Sequence, residues 1–359
     1  MFGHPIWRNL LALQWCACAH GLDGSAQKRQ LPATSDRKGL AMSITRHAAL
    51  ICPGQGSQAV GMGKALADTY AVARVVFAEV NDALSQDLSA LMWDGPSEDL
   101  TLTANTQPAL MAVSVAVVRV LEAEAGLDLK RDIAFVAGHS LGEYSALAAA
   151  GTFSVADTAR LLRIRGQAMQ KAVPAGQGAM AALIGVELEA ARAIAADAAQ
   201  GEVCQAANDN GGGQVVLSGS KAAVERAMVM AAERGIRRAV LLPVSAPFHC
   251  ALMQPAADAM RAALQSVAML PPVVPVMANV GAAPLSDPAA IRDSLVAQVT
   301  GTVRWRECVE AMSSAGVTSF LEVGSGKVLT GLVKRISPAA TLAAIGGPDD
   351  IAAYIAARS

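Results

Sequence analysis

The run IAFVAGHSLGEYSAL, residues 133–147, decides the architecture. Its first five residues form a short apolar stretch suited to a buried strand, and the residues from Glu143 onward are apolar with helix-like spacing. Between them, Gly138-His139-Ser140-Leu141-Gly142 matches G-x-S-x-G. The flanking glycines permit a sharp, strained strand-to-helix turn that lifts the serine hydroxyl above the edge of a sheet. A helix N-terminus at that point aims free backbone N–H groups at an incoming oxyanion. Ser140 is therefore the candidate nucleophile, with a structural turn serine as the alternative.

Upstream, residues 48–52 form a second apolar strand, followed by Pro53-Gly54-Gln55-Gly56-Ser57-Gln58 and a helix-like stretch to about residue 68. Helix-like spacing recurs at 71–84 and 108–124, and strands are read near 275–280 and 320–323. Alternation of this kind predicts an α/β fold. The middle of the chain has a different rhythm: strand 179–184, helix 187–199, strands 203–207 and 214–218, helix 221–233, strand 238–244. This βαββαβ order is the ferredoxin-like arrangement. It predicts a small subdomain over 176–244, inserted into a larger domain made of 43–175 and 245–345. Residues 1–42 lack periodicity and end in a second methionine, Met42; they are read as an extension outside the fold, disordered or upstream of the true start.

Composition narrows the function classes. The chain has 359 residues, 53% of them hydrophobic, enough for a substantial core. Its 29 basic and 30 acidic residues give a net charge of -1, without the field that recruits nucleic acid or an anionic membrane. No apolar run reaches the ~18 to 20 residues of a membrane span. Cys16, Cys18, Cys52, Cys204, Cys250 and Cys308 show no CxxC spacing, so neither a disulfide framework nor a metal site is expected and a reducing cytoplasm fits.

A serine nucleophile needs a base. Outside the N-terminal segment and its border (His4, His20, His47), the histidines are His139 and His249. His139 adjoins the serine on a tight turn, which points its ring away from the hydroxyl and toward a role in shaping the pocket. His249, in the loop Ser245-Ala246-Pro247-Phe248-His249-Cys250, is the candidate base, a hydrogen-bonded core histidine being the alternative. Two glycine motifs point elsewhere. Gly54-Gln55-Gly56-Ser57-Gln58-Ala59 fits the dinucleotide pattern G-x-G-x-x-A, but the acidic residue at the expected distance, Glu79, falls inside a helix-like stretch with no second strand before it. Gly324-Ser325-Gly326-Lys327 lacks the first glycine of a P-loop and the hydroxyl residue after the lysine.

Together PGQGSQ (53–58), GHSLGEYSAL (138–147), RGQAMQ (165–170), SAPFHC (245–250) and EVGSGKVLTGL (322–332) resemble one family, the malonyl-CoA:acyl carrier protein transacylases of type II fatty-acid synthesis. The resemblance spans about residues 48–336. It implies an α/β-hydrolase-like large domain with a ferredoxin-like insert and an active site in the cleft between them. It further implies Ser140 as nucleophile, His249 as base and then acid, and the N–H groups of Gln55 and Leu141 as the oxyanion hole. Arg165 would clamp the malonyl carboxylate; the alternative for a buried arginine is an ion pair with a protein carboxylate. Gln298 matches the position whose backbone carbonyl orients the histidine, and Asn210 matches an active-site asparagine, although Gly211-Gly212-Gly213 departs from the expected loop. The implied partners are malonyl-CoA and an acidic carrier protein, with no cofactor, and the docking face would draw on Lys171, Arg226, Arg237, Arg238, Lys327, Lys334 and Arg335.

Other functions remain open at this level. A serine esterase or thioesterase would use the same elbow but usually sets an Asp or Glu against its histidine. The acyltransferase of a malonate decarboxylase or polyketide system would differ in its carrier. A silent carrier-binding module would not need both Ser140 and His249.

Overall fold

The computed structural model describes residues 47–358; the extension expected over 1–42 lies outside the described residues. The first layer is a mixed α/β unit built on a six-stranded sheet. Its strands are β1 (Ala48–Cys52), β2 (Ile133–Gly138), β7 (Val276–Ala278), β8 (Ala283–Leu285), β9 (Ser319–Val323) and β10 (Thr341–Ile345), in the order β10-β9-β1-β2-β7-β8. All neighbours are parallel except the β7–β8 pair. Strand β1 is buried along its whole length, as a central parallel strand must be when helices cover both faces of the sheet.

The longer helices around this sheet follow from local signals. Helix α1 (Ala71–Leu84) buries Ala73, Val76, Phe77 and Val80, an i, i+3, i+4, i+7 stripe. Helix α2 (Thr103–Ala125) is buried along most of its length and ends at Gly126, which adopts the left-handed conformation of a helix stop. It begins upstream of the expected 108–124 and carries Pro108 within it, which brings Thr103 and Gln107 onto its first turns. Helix α3 (Leu141–Ala149) leaves the G-x-S-x-G turn. Helix α4 (Val155–Ala172) is capped by Ser154, whose hydroxyl accepts from Asp157 N at 3.0 Å.

The second layer is an antiparallel sheet of β3 (Gly178–Ile184), β4 (Cys204–Asp209), β5 (Gln214–Ser220) and β6 (Arg238–Leu241), in the order β4-β5-β3-β6. Helices α5 (Leu188–Ala199) and α6 (Lys221–Glu233) join these strands in βαββαβ sequence. Strand β6 stops short of the expected residue 244: Leu242 still donates to Met180 O, but Pro243 has no N–H to continue the ladder. The period of two along β3 divides the layer. Ala179, Ala181 and Leu183 pack with the two helices, whereas Met180, Ala182 and Ile184 face the opposite way and line a cavity against the first layer.

After the small sheet the chain returns through helices α7 (Gln254–Gln265), α8 (Pro288–Thr300), α9 (Trp305–Ser314), α10 (Val328–Ile336) and α11 (Pro348–Arg358). Helix α8 is opened by Asp287, which accepts from Ala290 N, with Pro288 in its first turn. The layers are stitched where β4 bulges: Asn208 bridges to Val303, Asp209 N donates to Val303 O, and the Asp209 carboxylate accepts from Arg306 Nε at 2.9 Å.

Both discarded glycine motifs have local explanations. The Glu79 carboxylate accepts from Ala156 N and so caps helix α4. After Gly324-Ser325-Gly326-Lys327, the buried Glu322 carboxylate accepts from Leu329 N and Thr330 N, filling the helix N-terminus that a phosphate would need.

Candidate active site

Register places the two motif loops side by side. Cys52 at the end of β1 pairs with Gly138 at the end of β2, so the PGQGSQ and GHSLG loops leave the same C-terminal edge of the sheet, where ligands of open α/β sheets bind. His139 N donates to Cys52 O across the gap. The turn closes so tightly that a Cβ on Gly142 would overlap the Cys52 carbonyl and one on Gly138 would overlap Gly142 itself. Ser140 sits at the apex with φ 54 and ψ -110, a conformation that L side chains rarely adopt.

His249 reaches the serine from the loop after the small sheet, also at positive φ (59). Its Nε2 lies 2.7 Å from Ser140 Oγ, and its Nδ1 lies 2.8 Å from the backbone carbonyl of Gln298. A carbonyl can only accept, so Nδ1 carries the hydrogen and Nε2 is left free to accept the serine proton. Burial, reinforced by the positive charge of Arg165, pushes the imidazole down to about 3 and keeps it neutral.

Arg165 projects from α4 and is 1% exposed. Gly166 lets this helix approach the start of α2 so closely that a Cβ there would crowd Ala104 Cα and Thr103 O. The fork donates from Nη1 to Gln107 Oε1 (2.8 Å) and from Nη2 to Gln298 Oε1 (2.9 Å) and to Ser140 Oγ (3.1 Å). Its Cζ lies 5.6 Å from the centre of the Tyr144 ring. Among the described residues no carboxylate is in salt-bridge contact with it; both of its side-chain amide partners are neutral. Gln107 in turn donates to Thr103, whose hydroxyl donates to Gln55 Oε1, so the arginine and the PGQGSQ loop belong to one polar chain.

The remaining expected residues also converge. Gln55, Leu141 and Asn210 line the same cavity, of about 200 Å³, with Ser140, His249 and Arg165. The backbone N–H groups of Gln55 and Leu141 have no acceptor within the described residues, whereas Ser140 N is taken by Asn279 Oδ1 at 2.8 Å. His139 turns its ring away from the serine: Nε2 lies 3.0 Å from Asn210 Oδ1, and the ring packs on Trp305. Its imidazole is also pushed down by burial. The Gly211-Gly212-Gly213 departure is accommodated by three consecutive positive φ angles that turn the β4–β5 loop against Ile336 and Arg335. Of the expected docking cations, Arg226 is committed elsewhere, to Glu202 and to the last carbonyls of α5.

Sequence reasoning missed Asn279, Glu143, Gln107 and Thr103. Asn279 braces the elbow, donating from Nδ2 to Gly138 O at 2.8 Å as well as accepting from Ser140 N. Glu143 is 1% exposed, and its Oε2 accepts from Asn279 N (3.0 Å) and Gln298 Nε2 (2.8 Å). Burial lifts its carboxyl to about 7.

Comparison with known proteins gives the family. The acyl transferase domain family matches residues 49–342. The malonyl CoA-acyl carrier protein transacylase of Escherichia coli (strain K12) is 47% identical over 307 residues, covering 86% of this chain and 98% of that one. The crystal structure of the acyl-carrier-protein-S-malonyltransferase from Bartonella henselae superposes with a TM-score of 0.84 at 57% identity, covering 86% and 98% of the two chains. A malonyl-transacylase solved in complex with its type II PKS acyl-carrier protein superposes with a TM-score of 0.83 at 43% identity, over 86% of this chain and 99% of that one. With a serine elbow, a histidine steered by a main-chain carbonyl and relatives of this identity over nearly their full length, the chain belongs to the malonyl-CoA:acyl carrier protein transacylases.

Proposed function

We propose that this chain moves a malonyl group from malonyl-CoA to the phosphopantetheine thiol of an acyl carrier protein through a malonyl ester on Ser140, supplying fatty-acid synthesis. The observation that carries the reading is a buried arginine 3.1 Å from the candidate nucleophile, held by amide oxygens and by no salt-bridged carboxylate. A desolvated guanidinium whose nearest protein carboxylate, Glu143, lies beyond salt-bridge contact keeps its fork free for an anion, and that planar fork matches a carboxylate in bidentate geometry.

The chemistry follows from the hydrogen bonds. The Ser140 hydroxyl donates to His249 Nε2 while accepting from Arg165, so its proton has a path out as the oxygen attacks the thioester carbonyl. The free N–H groups of Gln55 and Leu141 receive the charge that develops on that carbonyl oxygen. His249 returns the proton to the departing coenzyme A thiolate, and the Gln298 carbonyl supports the transient imidazolium. In the second half the carrier thiol loses its proton to His249 and takes the acyl group, a ping-pong scheme. A hydrolase of this type would usually set a carboxylate where the Gln298 carbonyl stands.

The six-stranded unit is read as the α/β-hydrolase-like domain and the four-stranded one as a ferredoxin-like insert, on the support of its element order and antiparallel strand order. Lys327 precedes α10 and Lys334 and Arg335 lie in its last turn, Arg335 with a hydrogen bond to Gln214; Val328, Leu329 and Leu332 of the same helix line the cavity, which makes Lys327 and Lys334 the preferred cations for carrier docking. The proposed compartment is the cytoplasm, on the scatter of the cysteines; among the described residues no helix is long and apolar enough to cross a membrane.

Intact-protein mass measurement tests the reading. Malonyl-CoA is expected to add one malonyl group that maps to Ser140 and discharges to carrier protein, with Ser140→Ala forming none. Rapid release of free malonate with no adduct would instead identify a hydrolase.

A further inference from the structure

Helix α3 is buried at all nine of its positions, so the glutamate within it contributes nothing to solubility. Glu143 makes no salt bridge among the described residues, and its Oε1 has no partner. A buried carboxylate is costly to desolvate, so the contacts that hold it are the place to look for what it does.

The contacts of Glu143 converge on one residue that the chemistry needs twice. Gln298 Nε2 donates to Glu143 Oε2 (2.8 Å) and to Ser140 O (3.0 Å), while Gln298 Oε1 accepts from Arg165 (2.9 Å). The carboxylate on one side and the guanidinium on the other leave the carboxamide a single orientation. Turned over, it would set an oxygen against Ser140 O and the ionised Glu143 carboxylate and an NH2 against Arg165, so the hydrogen bonds on both sides would become repulsions. The main chain of the same residue supplies the carbonyl that receives His249 Nδ1. The second acceptance by Oε2, from Asn279 N, steadies the residue whose side chain holds Ser140 N.

We propose that Glu143 is a positioning residue for acyl transfer: by fixing Gln298 it sets in register the carbonyl that orients His249 and the amide oxygen that aims Arg165. It touches neither substrate nor nucleophile side chain and acts through Gln298, with Asn279 as its second contact. The inference rests on the roles given above to His249 and Arg165.

The test compares wild type, Glu143→Met and Glu143→Gln for the rate of Ser140 acylation by malonyl-CoA and by acetyl-CoA, with thermal midpoints recorded alongside. Glu143→Met is expected to slow malonylation ~100-fold, the cost of a small misplacement of reacting groups. Acetylation, which depends on His249 but not on the clamp, is expected to fall several-fold less, while the midpoint drops by a few degrees because Asn279 N loses its acceptor. Glu143→Gln, which keeps an oxygen for both donors, is expected to recover malonylation to within a few-fold of wild type. Equal losses for the two acyl groups, or an unchanged malonylation rate, would overturn the proposal. If Glu143→Met does not fold, Glu143→Asp replaces it, measured in wild type and on Gln298→Ala. The shortened carboxylate is expected to slow malonylation only where the Gln298 carboxamide is present, and an equal effect on both backgrounds refutes the proposal. Failure of the wild type itself to form a malonyl adduct at Ser140 would identify the parent reading as the one at fault.

Discussion

Arg165 and Ser140 are joined by a hydrogen bond of 3.1 Å between guanidinium and hydroxyl, so the charge proposed to grip the substrate also touches the atom proposed to attack it. Truncation to Ala therefore separates the substrates. Losing the partner of a desolvated carboxylate costs roughly 3 to 5 kcal/mol, or about two to four orders of magnitude in malonyl transfer. Acetyl transfer, which offers Arg165 no carboxylate, is expected to fall far less. The ratio of the two rates in Arg165→Ala against wild type is the measurement; equal losses would make Arg165 a structural residue.

Acid stability gives a second prediction. The Glu143 carboxyl, lifted from 4.5 to about 7 by burial, keeps a proton in that window that the unfolded chain has lost, so its contribution to stability falls as pH rises. His249, lowered from 6.5 to about 3, stays neutral where the unfolded chain is protonated, so its contribution falls as pH falls. Between about pH 4.5 and 6.5 the two oppose each other. Glu143→Gln leaves only the histidine slope, and its stability relative to wild type is expected to drop by about 1 kcal/mol per pH unit on acidification through that window. Denaturant midpoints at the two ends check it, and a pH-independent difference counts against it.

Gly142→Ala drives a methyl group into the Cys52 carbonyl, which already accepts from His139 N. The elbow must open, at a cost of about 1 to 3 kcal/mol for forced overpacking. Thermal midpoint and the rate of Ser140 acylation are expected to fall together. Normal acylation in this variant would show that the serine tolerates a wider turn.

Charge reversal at Lys327 and Lys334 separates the half-reactions. Discharge of malonyl-enzyme to carrier protein is expected to show a KM raised about tenfold and a weaker dependence on salt, while discharge to free pantetheine is unchanged. Equal effects on both thiols would argue against a docking role.

How much of this was legible in the sequence depended on range. The elbow, the inserted βαββαβ unit and His249 could be read because their signals are local: a strand, a turn and a helix within fifteen residues, or a short list of histidines. Strands β8 and β10 escaped because three-residue and edge strands carry little period. Glu143 and Asn279 escaped for another reason. Their roles are made by parallel pairing that brings the end of β7 beside the end of β2, and a side chain carries no mark of that pairing. One clue stood in plain view, since a glutamate inside the otherwise apolar LGEYSALAA helix needs a buried partner. Gln298 was legible only by resemblance, because the group it presents to His249 is main chain and every residue has one.

The positive φ angles at Ser140 and His249 set the fold's own preference against its chemistry. Both positions would suit glycine, and a glycine at either is expected to relieve about 1 kcal/mol or more of backbone strain. At His249 the cavity left by the buried ring offsets that relief, but at Ser140 drift toward greater thermal robustness leads to an inert protein, and selection for turnover keeps the strained serine in place.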